Sequence, residues 1–366
     1  MSTTKRNGNI EILRFIFCLF IILVHFCNID RYGFGATGYL GVDFFFIISG
    51  FFLGKKLKKE KELHSKESLI KTLIASKDYT LSRIISIYPF YFVAVVFFYI
   101  MEVLFKSVSV LSGALYCISD FLFLQIFGFP SISYTGTLWF LSALFFSLFI
   151  LYPIVRRYYN VYIVYFSLPV ILLSYGYIIR KCGCFSVDPF FDNLLINPGI
   201  LRAIAGLTLG LIANELTDKI KTINFSLLGK SILSLFELGC YLFVFLYMFF
   251  VSESSFPHNF DFVAVGVLFL GIVITTCEQT IFYGKFNNSF SMFLGKSSMI
   301  LFMTHYFWVH NIRYVLETVI STDGLSNIHI IIIGYMLSFL TGIIVYLGGL
   351  TIKKFFVFLK NRILVK

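Results

Sequence analysis

Residues 9–28, NIEILRFIFCLFIILVHFCN, form an almost unbroken apolar run near the start of the chain. At a rise of 1.5 Å per residue, about 20 apolar residues cross the hydrocarbon core of a bilayer, so the run predicts a membrane-spanning helix. No small-residue cleavage site follows it, and we expect it to remain as a helix. Ionisable groups at membrane depth are costly and mark candidate functional residues. This run holds Glu11, Arg14 and His25.

The composition of the whole chain extends this prediction. Of 366 residues, 58% are hydrophobic and only 13% are charged, and the mean hydropathy is +0.87. Soluble proteins are about 45–50% apolar and about 25% charged. The composition excludes a water-soluble globular enzyme, a disordered chain and a disulfide scaffold. We expect an all-α fold, a polytopic integral membrane helical bundle with about ten transmembrane helices, forming a single domain over residues 1–366.

The predicted spans follow the apolar runs. They lie at about 10–29, 38–54, 84–105, 135–155, 158–178, 197–215, 231–252, 259–277, 288–310 and 328–350. A further segment, 110–128, is weaker because it holds Asp120 and Gln125. If it does not cross, most Lys and Arg residues fall on the cytoplasmic side, whereas a crossing divides them about evenly. The positive-inside rule therefore predicts that both termini are cytoplasmic and that 110–128 is a re-entrant or interfacial element.

The basic residues are concentrated in one polar segment, 55–83, which begins KKLKKEKELHSKE. The net charge is +11 and the pI is near 9.2. In a soluble protein this would favour nucleic-acid binding, but charges in short loops between apolar runs favour orientation in the membrane, and we expect no nucleic-acid partner. Two interpretations of 55–83 remain: a solvated cytoplasmic loop, or a segment that attracts anionic lipid head groups or an anionic cofactor. The cysteine spacing does not indicate a metal site.

Arg14 and His25 share one predicted helix face. Eleven residues at 100° per residue leave about 20° between them, with about 16 Å along the axis. Asp43, near the outer end of the second span, is predicted at the depth of His25, where a carboxylate orients an imidazole and stabilises its charged form. The alternatives are a snorkelling Arg14, a helix-end His25 bonded to a neighbour, and a solvated Asp43 at the end of its span.

Three further residues are predicted on the outer side: Trp139, Arg202 and His305. An aromatic-belt role for Trp139 and a structural polar contact for His305 are the alternatives. An intramembrane histidine acting as general base, with arginines for an anionic donor, suggests group transfer across or within the bilayer.

These residues resemble acyltransferase family three, the integral membrane O-acyltransferases that decorate bacterial surface glycans. The motifs that carry the resemblance are Arg14-x10-His25, GVDFFFIISGFF at 41–52, Arg83 followed by Ile87-Tyr88-Pro89, and TLWFLS at 137–142 with a downstream Tyr152-Pro153. Arg202 with Gly206 and Gly210, and SSMILFMTH ending at His305, fit the later helices. The chain departs from the family pattern at Ser86, where a second arginine is frequent, and at Ala143, where a glutamate is frequent.

The resemblance implies a reaction and a location. The reaction is transfer of an acyl group, with acetyl favoured and succinyl open, from acyl-CoA to a hydroxyl of a cell-surface polysaccharide or its lipid-linked precursor. The location is the bacterial plasma (inner) membrane, and acyl-CoA is a co-substrate with no permanently bound cofactor. Arg14 and His25 are implied to be essential, His25 as general base or as covalent acyl carrier. The predicted site residues are His25, Asp43 and Arg14 for catalysis, Arg14 and Arg83 for the donor, and Trp139, Arg202 and His305 for the acceptor.

Two other function classes remain: a non-enzymatic transporter of polysaccharide or lipid-linked glycan, and a glycan polymerase. Transporters usually contain repeated halves and discontinuous helices, and no repeat is apparent in the sequence. A polymerase needs large outer loops, whereas the longest predicted here is about 180–196. Stabilisation by acetyl-CoA is expected of an acyltransferase alone.

Overall fold

A computed structural model describes residues 6–30, 34–64, 67–106, 109–129, 133–187, 197–251, 260–319 and 325–363. Within these ranges the chain forms helices joined by turns and irregular segments, and no β-strand is present there, which confirms the all-α prediction. The helices are α1 (Gly8–Asp30), α2 (Gly41–His64), α3 (Leu69–Lys106), α4 (Val110–Phe121), α5 (Trp139–Val161), α6 (Ser167–Cys182), α7 (Pro198–Lys221), α8 (Leu227–Phe250), α9 (Phe260–Thr276), α10 (Ser289–Val319) and α11 (Asn327–Ile363).

Six helical segments among the described residues are long and apolar enough to cross a membrane. They are Gly8–Cys27, Leu69–Phe105, Gly136–Cys182, Pro198–Lys221, Leu227–Phe250 and Asn327–Phe356. The segment Gly136–Cys182 contains both α5 and α6, which are joined through a π-helical stretch at Tyr162–Phe166. Each of the ten predicted spans overlaps a helix of the structure. The helices fit a multi-pass membrane protein, and the count of about ten crossings stays a prediction.

Helix α4 is too short to cross a bilayer. Its 12 residues extend about 18 Å, whereas the hydrocarbon core is about 30 Å thick. The turn that follows α4 is held by buried polar contacts: Tyr91 Oη donates to the Asp120 carbonyl at 2.6 Å, and Gln125 Nε2 donates to Tyr91 Oη at 2.7 Å. That the whole segment 110–128 does not cross stays a prediction. Its assignment as re-entrant or interfacial stays a prediction.

The chain divides into two compact units. Unit 1 comprises Met1–Asp78 and Phe146–Ser298, and unit 2 comprises Tyr79–Phe145 and Met299–Lys366.

In unit 1, helices α2 and α7 pack with their backbones in contact. A Cβ atom added at Gly50 would lie 2.0 Å from the Leu207 carbonyl oxygen, and one added at Gly210 would lie 2.0 Å from the Ile47 carbonyl oxygen. Small residues at a helix crossing allow this approach in membrane proteins. The close contact fixes the N-terminal ends of α2 and α7 relative to each other, and these ends carry Asp43 and Arg202.

In unit 2, helices α3, α10 and α11 pack through aromatic rings. Phe90 stacks on Tyr346 with ring centroids 5.7 Å apart, and Phe98 stacks on Phe307 at 5.8 Å. Thr304 Oγ1 donates to the Ser338 carbonyl at 2.8 Å. These contacts hold the middle of α10, which carries His305, inside the unit.

Candidate active site

Helix α1 carries the two residues on which the functional prediction rests. It runs without interruption from Gly8 to Asp30, so Arg14 and His25 lie on one element. Regular helix geometry places them about 20° apart around the axis and about 16 Å apart along it. His25 is partly buried. The continuous helix α1 therefore allows Arg14 and His25 to share one face, while the roles of both residues stay predictions.

The Arg14 guanidinium is oriented by Glu11 from its own helix and lies near α2. Nη1 donates to the two Glu11 carboxylate oxygens at 3.3 and 3.4 Å, and Cζ lies 5.9 Å from the centroid of the Phe52 ring. The Glu11 side chain is only 6% exposed, whereas 28% of the Arg14 side chain is accessible. The accessible member of the ion pair is thus the cation, which is the arrangement that an anionic ligand requires.

Asp43 and Arg202 form a buried ion pair between the first turns of α2 and α7. Arg202 Nη2 donates to Asp43 Oδ2 at 2.6 Å, and Arg202 Nε donates to Asp43 Oδ1 at 3.3 Å. Tyr175 Oη donates to the same Oδ1 at 3.0 Å. Both charged side chains are essentially excluded from solvent. A guanidinium that engages both carboxylate oxygens forms one of the strong hydrogen-bonded pairs in proteins.

This pairing differs from the sequence hypothesis, in which Asp43 orients His25 and Arg202 contacts the acceptor. The described hydrogen bonds of Asp43 go to Arg202 and Tyr175. The physical reason is that a buried arginine requires an opposite charge, and Asp43 lies within its reach. The catalytic role of Asp43 and the substrate role of Arg202 stay predictions, and their structural role is mutual neutralisation.

A second buried carboxylate, Asp261, lies in the first turn of α9 and extends this network. It accepts hydrogen bonds from Tyr39 Oη at 2.8 Å, Tyr247 Oη at 2.9 Å and the Phe185 backbone N–H at 2.9 Å. Arg202 Nη2 donates to the Tyr39 carbonyl at 2.8 Å, so that Arg202 and Tyr39 together link the two carboxylates. Sequence analysis did not single out Asp261. The available signal was an acidic residue at the start of an apolar span.

The other three predicted site residues, Arg83, Trp139 and His305, belong to unit 2. Arg83 is exposed on α3, with Cζ 5.1 Å from the centroid of the Tyr79 ring. Trp139 opens α5 and is partly buried. His305 is fully buried, and its Nδ1 lies 3.2 Å from the Leu301 carbonyl and 2.9 Å from the Phe302 carbonyl. Because both neighbours are acceptors, Nδ1 carries the proton of the neutral ring, and Nε2 is the basic nitrogen.

A comparison with protein families decides the class of this protein. A model of acyltransferase family 3, described as an acyltransferase domain, matches residues 7–347. The chain belongs to acyltransferase family 3. No curated protein and no solved structure matches it. The match spans every predicted site residue, from Arg14 to His305. Together with the apolar helices, it makes the chain a multi-pass membrane acyltransferase.

The basic segment of this family 3 acyltransferase is mostly helical. Sequence analysis allowed a solvated loop over 55–83, but α2 continues to His64 and α3 begins at Leu69. Lys and Glu have high helix propensity, and Lys56 and Glu60 form an i,i+4 pair at 3.9 Å. The polar run therefore lengthens the two flanking helices.

Ion pairs hold this helical extension within unit 1. Arg156 Nη1 donates to Glu60 at 2.9 Å, and its Nε donates to Glu67 at 2.9 Å. Lys58 Nζ lies 2.8 Å from a Glu215 oxygen and 2.7 Å from an Asp218 oxygen. Burial lowers the pKa of Lys58, but the hydrogen bonds to the two carboxylates outweigh burial and raise that pKa above its ordinary value. These cations of the acyltransferase are neutralised by its own carboxylates.

Proposed function

We propose that this membrane acyltransferase moves an acyl group, acetyl in the simplest case, from acyl-CoA to a hydroxyl of a cell-surface polysaccharide or its lipid-linked precursor. The observation that carries the proposal is the placement of Arg14 and His25 on one face of α1, inside the region that matches the family. The proposed location is the bacterial plasma membrane, which family membership suggests, and the charge distribution favours an orientation with both termini cytoplasmic.

Arginines are the groups proposed to bind the donor. Arg83 is exposed, and a guanidinium matches a phosphate through two parallel hydrogen bonds. Lys55 and Lys59 are exposed as well, whereas Lys58 is held by Glu215 and Asp218. Arg83 and the exposed lysines are therefore separate candidates for binding the phosphates of coenzyme A, and Arg14 is the candidate for binding the acyl arm.

His25 is the proposed catalytic residue. As a general base it takes the proton of the acceptor hydroxyl while the oxygen attacks the thioester carbon. The carbon–sulfur bond then breaks, and the proton is passed to the departing thiolate. As an acyl carrier its imidazole nitrogen attacks the thioester carbon, the carbon–sulfur bond breaks, and the imidazole proton goes to the departing thiolate. The acceptor hydroxyl then attacks the acyl-imidazole, the carbon–nitrogen bond breaks, and the hydroxyl proton returns to the imidazole. General-base catalysis of this kind contributes about 10²–10⁴-fold to the rate.

The test is a comparison of surface polysaccharide from cells that carry wild-type protein, His25→Ala or His329→Ala. His329 is an exposed histidine that hydrogen-bonds Ser326 at the start of α11, and it is the matched control. Mass analysis should show the acetyl mass on the sugar with wild type and with His329→Ala, and its loss with His25→Ala at equal membrane abundance. Near-normal acetylation by His25→Ala would show that the assignment is wrong. A larger, negatively charged substituent would identify succinyl.

A further inference from the structure

The Glu11 carboxylate occupies a slot that is open because residue 295 is glycine. A Cβ atom added at Gly295 would lie 1.8 Å from Glu11 Oε2 and 2.8 Å from its Cδ. A carbon atom cannot approach an oxygen that closely, so any side chain at 295 must displace the carboxylate. The first half of α10 also contacts α1 at Cys18, whose Sγ lies 3.1 Å from the Ser298 carbonyl. Two helices therefore define the position of this carboxylate.

The exposure of the pair is asymmetric. Glu11 is enclosed by the slot, and its carboxylate faces the guanidinium of Arg14, whose side chain is 28% exposed. A buried carboxylate is stable only beside a cation, so Glu11 depends on Arg14. In return, a fixed negative charge limits the orientations that the long arginine side chain adopts. A pre-oriented guanidinium loses less conformational freedom when it binds an anion.

We propose that Glu11 is the positioning residue of Arg14, and that Gly295 is required because it leaves room for the Glu11 carboxylate. The inference rests on the proposed function, in which Arg14 meets the acyl arm of the donor. It adds two residues to which the sequence and family analysis assigned no role. Since His25 lies about 16 Å farther along α1, loss of the positioning contact weakens donor binding and leaves the chemical step intact.

The experiment measures KM for acetyl-CoA and kcat on purified protein in nanodiscs. Glu11→Gln keeps the size of the side chain and removes its charge, and Gly295→Ala fills the slot. Each should raise KM about tenfold with kcat changed less than about threefold. Glu11→Asp retains the charge and should recover part of the affinity. Gly239→Ala is the control, because Gly239 is also in a helix and a Cβ there meets nothing within 4 Å.

A double-mutant cycle tests the slot itself. Glu11→Ala removes the atoms that the new Cβ would meet, so Gly295→Ala should raise KM further by less than about twofold in that background. Independent, multiplicative effects would show that the slot does not act through Glu11.

The remaining outcomes separate this inference from the proposed function. The inference is overturned if Glu11→Gln leaves KM within twofold of wild type, or if Gly295→Ala behaves like Gly239→Ala. It is also overturned if KM is unchanged and kcat alone falls. If the wild-type protein neither binds nor consumes acetyl-CoA, the proposed donor is wrong and the inference falls with it. If the wild-type protein is active with acetyl-CoA and the Glu11 and Gly295 variants have the same KM and kcat as wild type, the inference is wrong and the proposed function stands.

Discussion

The buried Asp43–Arg202 pair predicts a stability pattern that a surface ion pair would not show. Removing one member leaves the other as an uncompensated charge, since each is almost completely excluded from solvent. Such a loss costs about 3–5 kcal/mol, whereas removing both charges together is close to neutral. Asp43→Asn and Arg202→Met are the suitable changes, because Asn keeps an oxygen that accepts from Tyr175.

The predicted loss in the free energy of unfolding can be converted into a decrease in melting temperature. With an unfolding entropy of about 2.1 cal/mol/K per residue over 366 residues, a loss of about 3–5 kcal/mol lowers Tm by about 4–7 °C. Thermal unfolding of the purified protein in one detergent should show this fall for each single variant. The double variant should lie closer to wild type than either single variant does.

A matched control is the exposed pair Lys221–Glu278, with an N–O distance of 2.6 Å and side chains 28% and 41% exposed. Glu278→Gln should cost less than about 1 kcal/mol. If the losses for Asp43→Asn and Arg202→Met simply add in the double variant, the two charges do not compensate each other, and the account of the network is refuted.

Two further predictions concern packing and pH. Gly50→Ala should strongly reduce the amount of folded protein in the membrane, because its Cβ would lie 2.0 Å from the Leu207 carbonyl oxygen. Gly176→Ala is the control and should fold normally, because a Cβ there meets nothing within 4 Å. The measurement is the monodisperse fraction of each variant after extraction from the membrane. The raised pKa of Lys58 means that its ion pairs stabilise the fold fully below about pH 10.4 and lose that contribution as pH rises through the higher pKa of the folded state. Lys58→Met should therefore lower Tm at pH 8, and Tm of the variant should decrease less steeply above pH 10 than Tm of wild type. An equal decrease in both proteins would show that the Lys58 ion pairs do not stabilise the fold.

Much of the fold follows from the sequence because one physical requirement dominates it. Apolar runs of about 20 residues must become helices in a bilayer, since their backbone polar groups have no other partners there. The relation between Arg14 and His25 could be predicted for the same reason, because a regular helix fixes the angle between any two of its residues.

The hydrogen-bond and ion-pair partners of individual side chains could not be predicted from the sequence. Asp43 and Arg202 are 159 residues apart, and the sequence alone favours His25 as the partner of Asp43. Only the close packing of α2 on α7 selects Arg202. The role of Gly295 could not be predicted from the sequence either, because it depends on which side chain of another helix packs against this glycine. The ion pairs of Lys58 and Arg156 also depend on tertiary contacts, since charge counting treats every lysine and arginine alike.

The distance between Asp43 and Arg202 along the chain also matters while the protein is being made. A ribosome that adds 5–20 residues per second needs about 8–30 s to synthesise the 159 residues between them. For most of that interval α2 is fully synthesised, but the guanidinium that neutralises its carboxylate does not yet exist. The nascent helix must therefore keep Asp43 hydrated until α7 arrives. Synonymous codons that slow translation between these two helices would prolong the wait and lower the yield of folded protein without changing a single residue.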